Sequence, residues 1–408
     1  MDKTILFITG TRADFGKLKP LIARVAAADG FEQRIFATGM HMLSRYGATV
    51  TEIVNSGFQN IYPYLNQDPF GSSGMDLALA NTIQGLGHYV REFSPDLIVV
   101  HGDRIEALAG AIVGALHNIL VAHVEGGEVS GTVDELLRHA ISKLSHLHFV
   151  ANAEARNRLV QMGEEPQAIF VIGSPDIDVM LSDSLPSLAE VKTHYEIPFD
   201  QYCIFMYHPV TTELAGLEER ARGMWESLLQ SEHNFVVIHP NNDSGSEILL
   251  RELSQHAGHP RFRCLPSMRF ESFLTLLKHS RAIVGNSSAG IREAPVYGVP
   301  TINIGTRQSN RFAHTSIQNV PDDPAAIRGA LRSLPSHFAP SHHFGNGKSA
   351  EHFMAALRNG VLWNMRKQKQ FRDIATSLAD APVPRFPAEA TLELPAHPAS
   401  RKRIPSSA

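Results

Sequence analysis

A strand–helix–strand unit is encoded in residues 96–124, DLIVVHGDRIEALAGAIVGALHNILVAHV. The runs 96–101 and 120–124 are short and apolar, which is typical of buried strands. Residues 104–117 have small and aliphatic side chains on nearly every face, so a helix there would pack closely on a sheet. The pattern predicts two parallel strands joined by a crossover helix.

The same alternation continues through most of the chain, in two series. The first series predicts further strands at residues 4–9, 33–38, 147–151 and 169–172. The second predicts strands at residues 202–207, 235–239, 262–265, 282–285 and 301–304. The stretch 173–187 between them contains Pro175, Pro186 and several Ser and Asp residues, so we interpret it as a connector. We therefore predict an α/β fold of two Rossmann-like, doubly wound lobes with a cleft between them.

The length of 408 residues is sufficient for two or three domains. We predict a first lobe over residues 1–180, a second lobe over 190–345 and a disordered tail over 380–408. The tail has six prolines, starting at Pro382, and no periodicity. Its short basic cluster, residues 401–403, is interpreted as part of a solvated terminus rather than as a contact with an anionic surface.

Composition argues against several classes of function. The 37 Lys and Arg and the 41 Asp and Glu give a net charge of −4, which disfavours nucleic acid as a partner. Cys203 and Cys264 lack zinc-type spacing, and no signal peptide or membrane-length apolar run is present, so we expect a cytoplasmic protein with no membrane partner. No metal-binding motif is found, and residues 10–16, GTRADFG, lack the second glycine of the dinucleotide fingerprint.

Acidic residues follow two consecutive predicted strands. Asp103 comes after the first of these strands and Glu125 after the second, so both are expected at one edge of the sheet, facing the cleft. Asp134 precedes the next helix, and either aspartate could instead be a plain N-cap. Carboxylates that share a pocket repel one another, so we expect some of their pKa values to be raised. Three histidines near the same strand ends could orient or protonate them, namely His41, His101 and His123.

The second series contains residues suited to an anion. Ser287 and Ser288 lie between a strand and a predicted helix, where they would be either phosphate ligands or ordinary caps. Glu293 could accept ribose hydroxyls or be a solvated helix acid. Residues 305–311 contain Arg307 and Arg311, and a solvated loop is the expected place for at least one of them.

Two further residues have open interpretations. His208 ends a predicted strand and could face the acids across the cleft or hydrogen-bond a loop. Arg12 lies in the turn after the first strand, where it could bind phosphate or pair with Asp14 at the surface.

Several of these motifs together resemble the hydrolysing UDP-N-acetylglucosamine 2-epimerases of bacterial sialic acid synthesis. The resemblance extends from the first strand to the last helix before the tail. Its most specific segments are ITGTRADFGKLKPL, TGMHM, HGDRIEALAGA, HVEGGEVSGTVDELLRHAISKLSH, GSPDIDVM, HPVTTE, PNNDSG and GNSSAGIREAPVYGVPTINIGTRQSNR. It implies the two-lobed GT-B architecture, with a final helix over residues 350–376 crossing back to the first lobe, and a chain that forms homodimers.

The family chemistry converts UDP-N-acetylglucosamine and water to N-acetylmannosamine and UDP through 2-acetamidoglucal, without a cofactor. The resemblance implies that Asp103, Glu125 and Asp134 handle protons and water, and that His208 assists near the leaving diphosphate. It implies UDP contacts for Arg12, Arg104, Ser287, Ser288, Glu293 and Arg307. The alternatives are an epimerase of UDP-2,4-diacetamido-2,4,6-trideoxyglucose for legionaminic acid, a GT-B glycosyltransferase, and a non-catalytic nucleotide-sugar sensor.

Overall fold

The computed structural model describes residues 2–67, 74–130, 133–241, 243–309 and 311–374, and the described residues up to Arg372 belong to one compact unit. The strands in these ranges form two all-parallel sheets. The first sheet has the order β3-β2-β1-β4-β5-β6-β7. Its strands are β1 Lys3–Thr9, β2 Phe31–Ala37, β3 Ile61–Pro63, β4 Leu97–His101, β5 Leu120–Val124, β6 Leu147–Val150 and β7 Ile169–Val171.

The second sheet has the order β10-β9-β8-β11-β12-β13. Its strands are β8 Cys203–Met206, β9 Phe235–Ile238, β10 Phe262–Leu265, β11 Ile283–Gly285, β12 Thr301–Ile304 and β13 Ile317–Val320. Each sheet reverses its strand order once, between β1 and β4 and between β8 and β11, which is the doubly wound pattern. The predicted α/β class with two Rossmann-like lobes, the GT-B-like arrangement, is confirmed.

Helices connect the strands and cover both faces of each sheet. They are α1 Arg12–Ala26, α2 Val50–Val54, α3 Met75–Phe93, α4 Ile105–Leu116, α5 Val133–Leu144, α6 Ala153–Gln161, α7 Pro175–Met180, α8 Leu188–His194, α9 Leu217–Gln230, α10 Ser246–His256, α11 Phe270–Lys278, α12 Pro324–Arg332, α13 Ser349–Arg358 and α14 Gly360–Trp363. None of the helices in the described ranges is long and apolar enough to cross a membrane.

All predicted strands are present, with ends that differ by at most two residues. Two edge strands were not predicted. β3 is three residues long and ends in Pro63, and β13 has the polar sequence IQNV, so neither has the apolar run of a buried strand. α1 starts at Arg12, which was predicted to lie in a turn, because Thr11 and Asp14 form a capping box. The predicted connector 173–187 contains the short helix α7.

Alternate residues of each strand enter different cores, as expected for a sheet covered on both faces. In β1, Ile5 and Phe7 pack with α1 and α13, whereas Leu6 and Ile8 pack with α3 and α4. In the second sheet, too, alternate residues of a strand enter different cores: in β8, Ile204 packs in one core, and Cys203 and Phe205 pack in the other. The lobes approach closely at Gly16 of α1, where an added Cβ would lie 2.5 Å from the Cβ of Phe270.

The chain returns to the first sheet after the second is complete. Phe353 of α13 is fully buried, with its ring 4.7 Å from that of Phe149 and 6.4 Å from that of Phe7. The helix predicted over 350–376 is shorter: α13 stops at Arg358, Asn359 caps α14, and residues 364–374 are not helical. The rest of that helix prediction, and the predicted tail 380–408, lie outside the described residues.

The segment that follows α14 is anchored at the end of α5. Lys369 Nζ donates to the carbonyl oxygens of Lys143 at 2.9 Å and Ser145 at 2.7 Å, and it pairs with the buried carboxylate of Glu164. A cation at the carbonyl end of a helix is stabilising. The Lys369 contacts therefore stabilise the carboxyl end of α5, the helix that carries Asp134 in its first turn.

Phe353→Ala is expected to lower the free energy of unfolding by about 3–5 kcal/mol, because it leaves a cavity where α13 meets the first sheet. Urea denaturation followed by tryptophan fluorescence measures the change. The control Val361→Ala alters a side chain that is 57% exposed on α14 and should change stability by less than about 0.5 kcal/mol. Similar losses for both variants would contradict the packing of α13.

Candidate functional site

A cavity of about 630 Å³ lies at the carboxyl ends of both sheets. The structure brings every predicted site residue to its wall. These are Arg12, Asp103, Arg104, Glu125, Asp134, His208, Ser287, Ser288, Glu293 and Arg307. The position follows from the fold, since ligands of doubly wound sheets bind where the strand order reverses.

Asp103 and Glu125 follow neighbouring strands of the first sheet. β4 pairs with β5 in a register that puts His101 opposite Val124, so the two carboxylates leave the sheet side by side. Glu125 has a positive φ of 65°, a conformation that costs energy for a residue with a side chain and is often found at functional sites.

Asp103 is an ion-pair partner and not the N-cap of α4, which is Arg104. Its Oδ2 accepts from Nη2 of Arg138, a side chain that is only 2% exposed. Burial alone would raise the pKa of Asp103, but the guanidiniums of Arg138, Arg311 and Arg307 lower it below its ordinary value. Asp103 is therefore ionised at neutral pH.

Glu125 is held by a guanidinium from the second lobe. Nη2 of Arg292 donates to Glu125 Oε1 at 2.7 Å and also to the Ser174 hydroxyl, while Nη1 donates to Glu128. Burial opposes ionisation, but Arg292 and then Lys17 hold the pKa of Glu125 well below its usual range. The predicted rise in carboxylate pKa is thus wrong for both Asp103 and Glu125, because the buried cations outweigh the crowding.

Glu293 is 3% exposed, so its interpretation as a solvated helix acid is wrong. Lys17 Nζ lies 3.0 Å from Glu293 Oε1 and 3.3 Å from Asp176 Oδ2. Burial lowers the pKa of Lys17, but Glu293, Glu125 and Asp176 together raise it above the ordinary value. Glu293 Oε2 is buried and accepts no hydrogen bond from any described residue, so a residue of the cavity wall carries an unsatisfied acceptor.

Two arginines from the loop after β12 cross the cleft. Arg307 Nη2 lies 3.1 Å from Asp134 Oδ2, and Arg311 Nη2 lies 3.2 Å from Glu128 Oε2. Both arginine side chains are 11% exposed. The expectation that one of them is solvated is wrong. Asp134 lies in the first turn of α5, with its carboxylate directed to the other lobe.

His208 has a defined tautomer. Its Nδ1 accepts from the backbone N–H of Asn241 at 3.0 Å, which leaves the proton on Nε2. Burial, together with the nearby Arg307, lowers the pKa of His208 to about 3. His208 is therefore a neutral hydrogen-bond donor on the cavity wall.

The three histidines near the first-lobe strand ends have different positions. His101 Nε2 lies 3.2 Å from Glu125 Oε2. His123 donates from Nε2 to the Gly102 carbonyl at 2.7 Å and is buried, so it positions the Asp103 turn without contacting a carboxylate. His41 lies between two threonine hydroxyls. Of these three, only His101 faces a predicted catalytic acid.

The segment after β11 is not the predicted α-helix. Residues Ser288–Gly290 form a short 3-10 turn, and the Ser287 hydroxyl accepts from Ala289 N at 3.3 Å. Gly285, with a φ of 127°, lies so close to β8 that an added Cβ would be 1.9 Å from the Met206 carbonyl oxygen. The two seryl groups thus reach the cavity on a tight turn, without a long helix dipole behind them.

Arg12 does not pair with Asp14, whose carboxylate instead accepts from Thr9, Gly10 N and Thr11 N. Arg12 pairs with Glu52 through two hydrogen bonds of 2.8 Å. Arg104 lies beside the buried Glu106, with 3.3 Å between Arg104 Nε and Glu106 Oε2.

Sequence reasoning missed a group of buried ionic residues. They are Lys17, Glu128, Arg138, Asp176 and Arg292. The available signal was that all five lie inside the segments that carry the family resemblance. Their partners, however, are distant along the chain, and pairing could not be inferred. Among the described residues, no group of three or more His, Cys, Asp and Glu is arranged to hold a metal ion.

The UDP-N-acetylglucosamine 2-epimerase family model matches residues 23–358. A UDP-N-acetylglucosamine 2-epimerase of Neisseria meningitidis is 48% identical over 380 residues, covering 91% of this chain and 99% of that protein. A UDP-N,N'-diacetylbacillosamine 2-epimerase (hydrolyzing) of Legionella pneumophila is 32% identical over 363 residues, covering 88% and 96%.

Among solved structures, the Methanocaldococcus jannaschii UDP-GlcNAc 2-epimerase in complex with UDP-GlcNAc and UDP has a TM-score of 0.73. At 21% identity, over 87% of this chain and 99% of that chain, the likeness shows the fold alone. The family match covers most of the sequence, and the Neisseria relative aligns over nearly its full length. The chain belongs to the UDP-N-acetylglucosamine 2-epimerase family.

Proposed function

We propose that this protein is a hydrolysing 2-epimerase that converts UDP-N-acetylglucosamine and water to N-acetylmannosamine and UDP. The observation that supports this most is the division of the cavity wall. Asp103 and Glu125, both with lowered pKa values, project from the first sheet. The second sheet contributes the residues that face them, namely Arg307, His208, Ser287 and Ser288. A base opposite anion-binding groups is what elimination of a nucleoside diphosphate requires.

The choice of substrate is supported by similarity. The relative with the UDP-N-acetylglucosamine name is 48% identical, whereas the one that names UDP-N,N'-diacetylbacillosamine is 32% identical. The latter sugar nucleotide remains the second candidate, since that relative covers nearly the same part of the chain. We further propose that the enzyme acts in the cytoplasm as a homodimer, in sialic acid and capsule biosynthesis.

The first half of the reaction is an anti-elimination. A carboxylate removes the C2 proton, the C1–O bond breaks, and 2-acetamidoglucal and UDP form. We assign the base to Asp103, because its side chain is 29% exposed to the cavity, against 7% for Glu125. Both oxygens of Glu125 already face partners, Arg292 and Ser174 on one side and His101 on the other.

The second half adds water across the double bond. Asp134 takes a proton from water as the oxygen attacks C1, and C2 receives a proton on the opposite face. We assign that proton to the Glu125–His101 pair, in which His101 Nε2 lies 3.2 Å from Glu125 Oε2. The pair takes the proton from solvent in each cycle, and Asp103 and Asp134 return to solvent the protons that they accepted. The bonds formed and broken then sum to epimerised, free N-acetylmannosamine.

The second lobe stabilises the leaving group. His208 is neutral, and its Nε2–H can donate to a diphosphate oxygen. The positive charge that stabilises the leaving diphosphate comes from the guanidinium of Arg307. The Ser287 and Ser288 hydroxyls, with Arg12 and Arg104 from the first lobe, complete the proposed UDP contacts. Glu293 Oε2 is assigned to the ribose hydroxyls.

Turnover in heavy water is expected to introduce one deuterium at C2 of N-acetylmannosamine, because exchangeable groups return the proton. NMR and mass spectrometry of the products measure the label, and UDP release is followed in parallel. No acceptor is added, which separates an epimerase from a glycosyltransferase, and a sensor would release no UDP. Product that retains its nucleotide would indicate a non-hydrolysing epimerase. Faster UDP release from UDP-N,N'-diacetylbacillosamine would favour the second candidate.

Asp103→Asn and Glu125→Gln are each expected to lower kcat by about 10²–10⁴-fold, because each removes a proton-transfer group. UDP affinity should change little. The matched control is Asp96→Asn. Asp96 immediately precedes β4, at the end of the strand away from Asp103, and pairs with Lys3. The kcat of this control should stay within about twofold of wild type. Full activity in Asp103→Asn would remove Asp103 from the mechanism.

Arg138→Met is expected to move the acid limb of kcat/KM to higher pH. Arg138 lowers the pKa of Asp103, so its removal raises that pKa, and the base form is then lost at a higher pH as the solution is acidified. The measurement is kcat/KM against pH for wild type and variant, with circular dichroism to verify folding. An unmoved acid limb would assign proton abstraction to Glu125.

A further inference from the structure

Arg12 has protein partners for all three of its guanidinium nitrogens. Its Nε donates to Glu52 Oε2 and its Nη2 to Glu52 Oε1, both at 2.8 Å. Its Nη1 donates to the Ser267 hydroxyl at 2.8 Å. The Arg12 side chain lines the cavity and is 20% exposed, and that of Glu52, behind it, is 27% exposed, so the pair is only partly buried.

The occupied edge is the one an anion would use. A guanidinium presents Nε–H and one Nη–H as a parallel pair that matches two oxygens of a carboxylate or a phosphate. Glu52 fills that pair in Arg12. A phosphate can therefore bind this edge only when the Glu52 carboxylate leaves it.

The surroundings can accept the displaced carboxylate. Glu52 Oε1 lies 4.0 Å from Nε of Arg269, a side chain that is 56% exposed. Arg269 and Ser267 belong to the same segment of the second lobe, just before α11. Glu52 can thus exchange one cation for another without becoming an unpaired charge.

We propose that Glu52 is an affinity-determining residue of the nucleotide site, an internal carboxylate that competes with the substrate diphosphate for Arg12. This rests on the proposed function, since it takes Arg12 as a diphosphate contact. Binding of the diphosphate replaces the Glu52–Arg12 pair with a phosphate–Arg12 pair. Ligands without a phosphate leave the Glu52–Arg12 pair intact.

The test is Glu52→Gln, which keeps the shape and one acceptor oxygen but removes the charge. The UDP dissociation constant, measured by calorimetry at fixed ionic strength, is expected to fall about fivefold, the size expected for a partly exposed ion pair. Uridine affinity should not change. In turnover, KM should fall by a similar factor with kcat within about twofold, as for a contact made equally before and during reaction.

The matched control is Glu271→Gln. Glu271 pairs with Lys19 at 2.6 Å, so it also connects α1 to the second lobe, but Lys19, unlike Arg12, does not line the cavity. This variant should bind UDP like wild type. Tightening in both variants would mean that loosening the lobes, and not release of Arg12, raises affinity, and it would overturn the proposal.

The remaining outcomes are separable. Equal or weaker UDP binding by Glu52→Gln, with UDP binding intact in wild type, would overturn the role of Glu52 and leave the proposed function standing. Absence of UDP binding by the wild-type protein would instead overturn the proposed function itself, and the role of Glu52 with it.

Discussion

The buried guanidinium of Arg292 is the constraint that joins the lobes at the site. It comes from the second lobe, is 1% exposed, and donates to Glu125 and Glu128 of the first. Its Cζ lies 4.7 Å from the Phe344 ring centroid. A buried cation without partners would be strongly destabilising, so the two lobes have to meet with these acids in place. The shape of the cavity follows from that requirement.

The same cations decide what the carboxylates can do. Mutual repulsion alone would keep some of the acids protonated, and such acids could donate protons. With Arg292 and Lys17 near Glu125 and Arg138 near Asp103, the pKa values of both acids are lowered. Both acids therefore begin the proposed reaction as proton acceptors. The proton that C2 receives then has to be resupplied from solvent, at the place where His101 Nε2 faces Glu125.

Much of the fold and the location of the site followed from the sequence, because strand ends in a doubly wound sheet converge at one edge. That rule predicts Asp103 and Glu125 at one edge of the sheet, where the structure has them. It could not indicate Arg292, whose partner Glu128 is 164 residues away, or that Glu293 would be buried beside Lys17. Polar or very short edge strands such as β13 and β3 also lack the apolar run on which the prediction depends.

The basic groups assigned to the diphosphate have carboxylate partners within the protein. Arg12 faces Glu52, and Arg307 faces Asp134. In the proposed reaction the nucleotide replaces these carboxylates, so part of its interaction energy is offset by the pairs that it breaks. Arg307 reaches Asp134 across the cleft, so the guanidinium that is assigned to the diphosphate also connects the two lobes. Ligand binding and the contact between the lobes therefore depend on the same side chain.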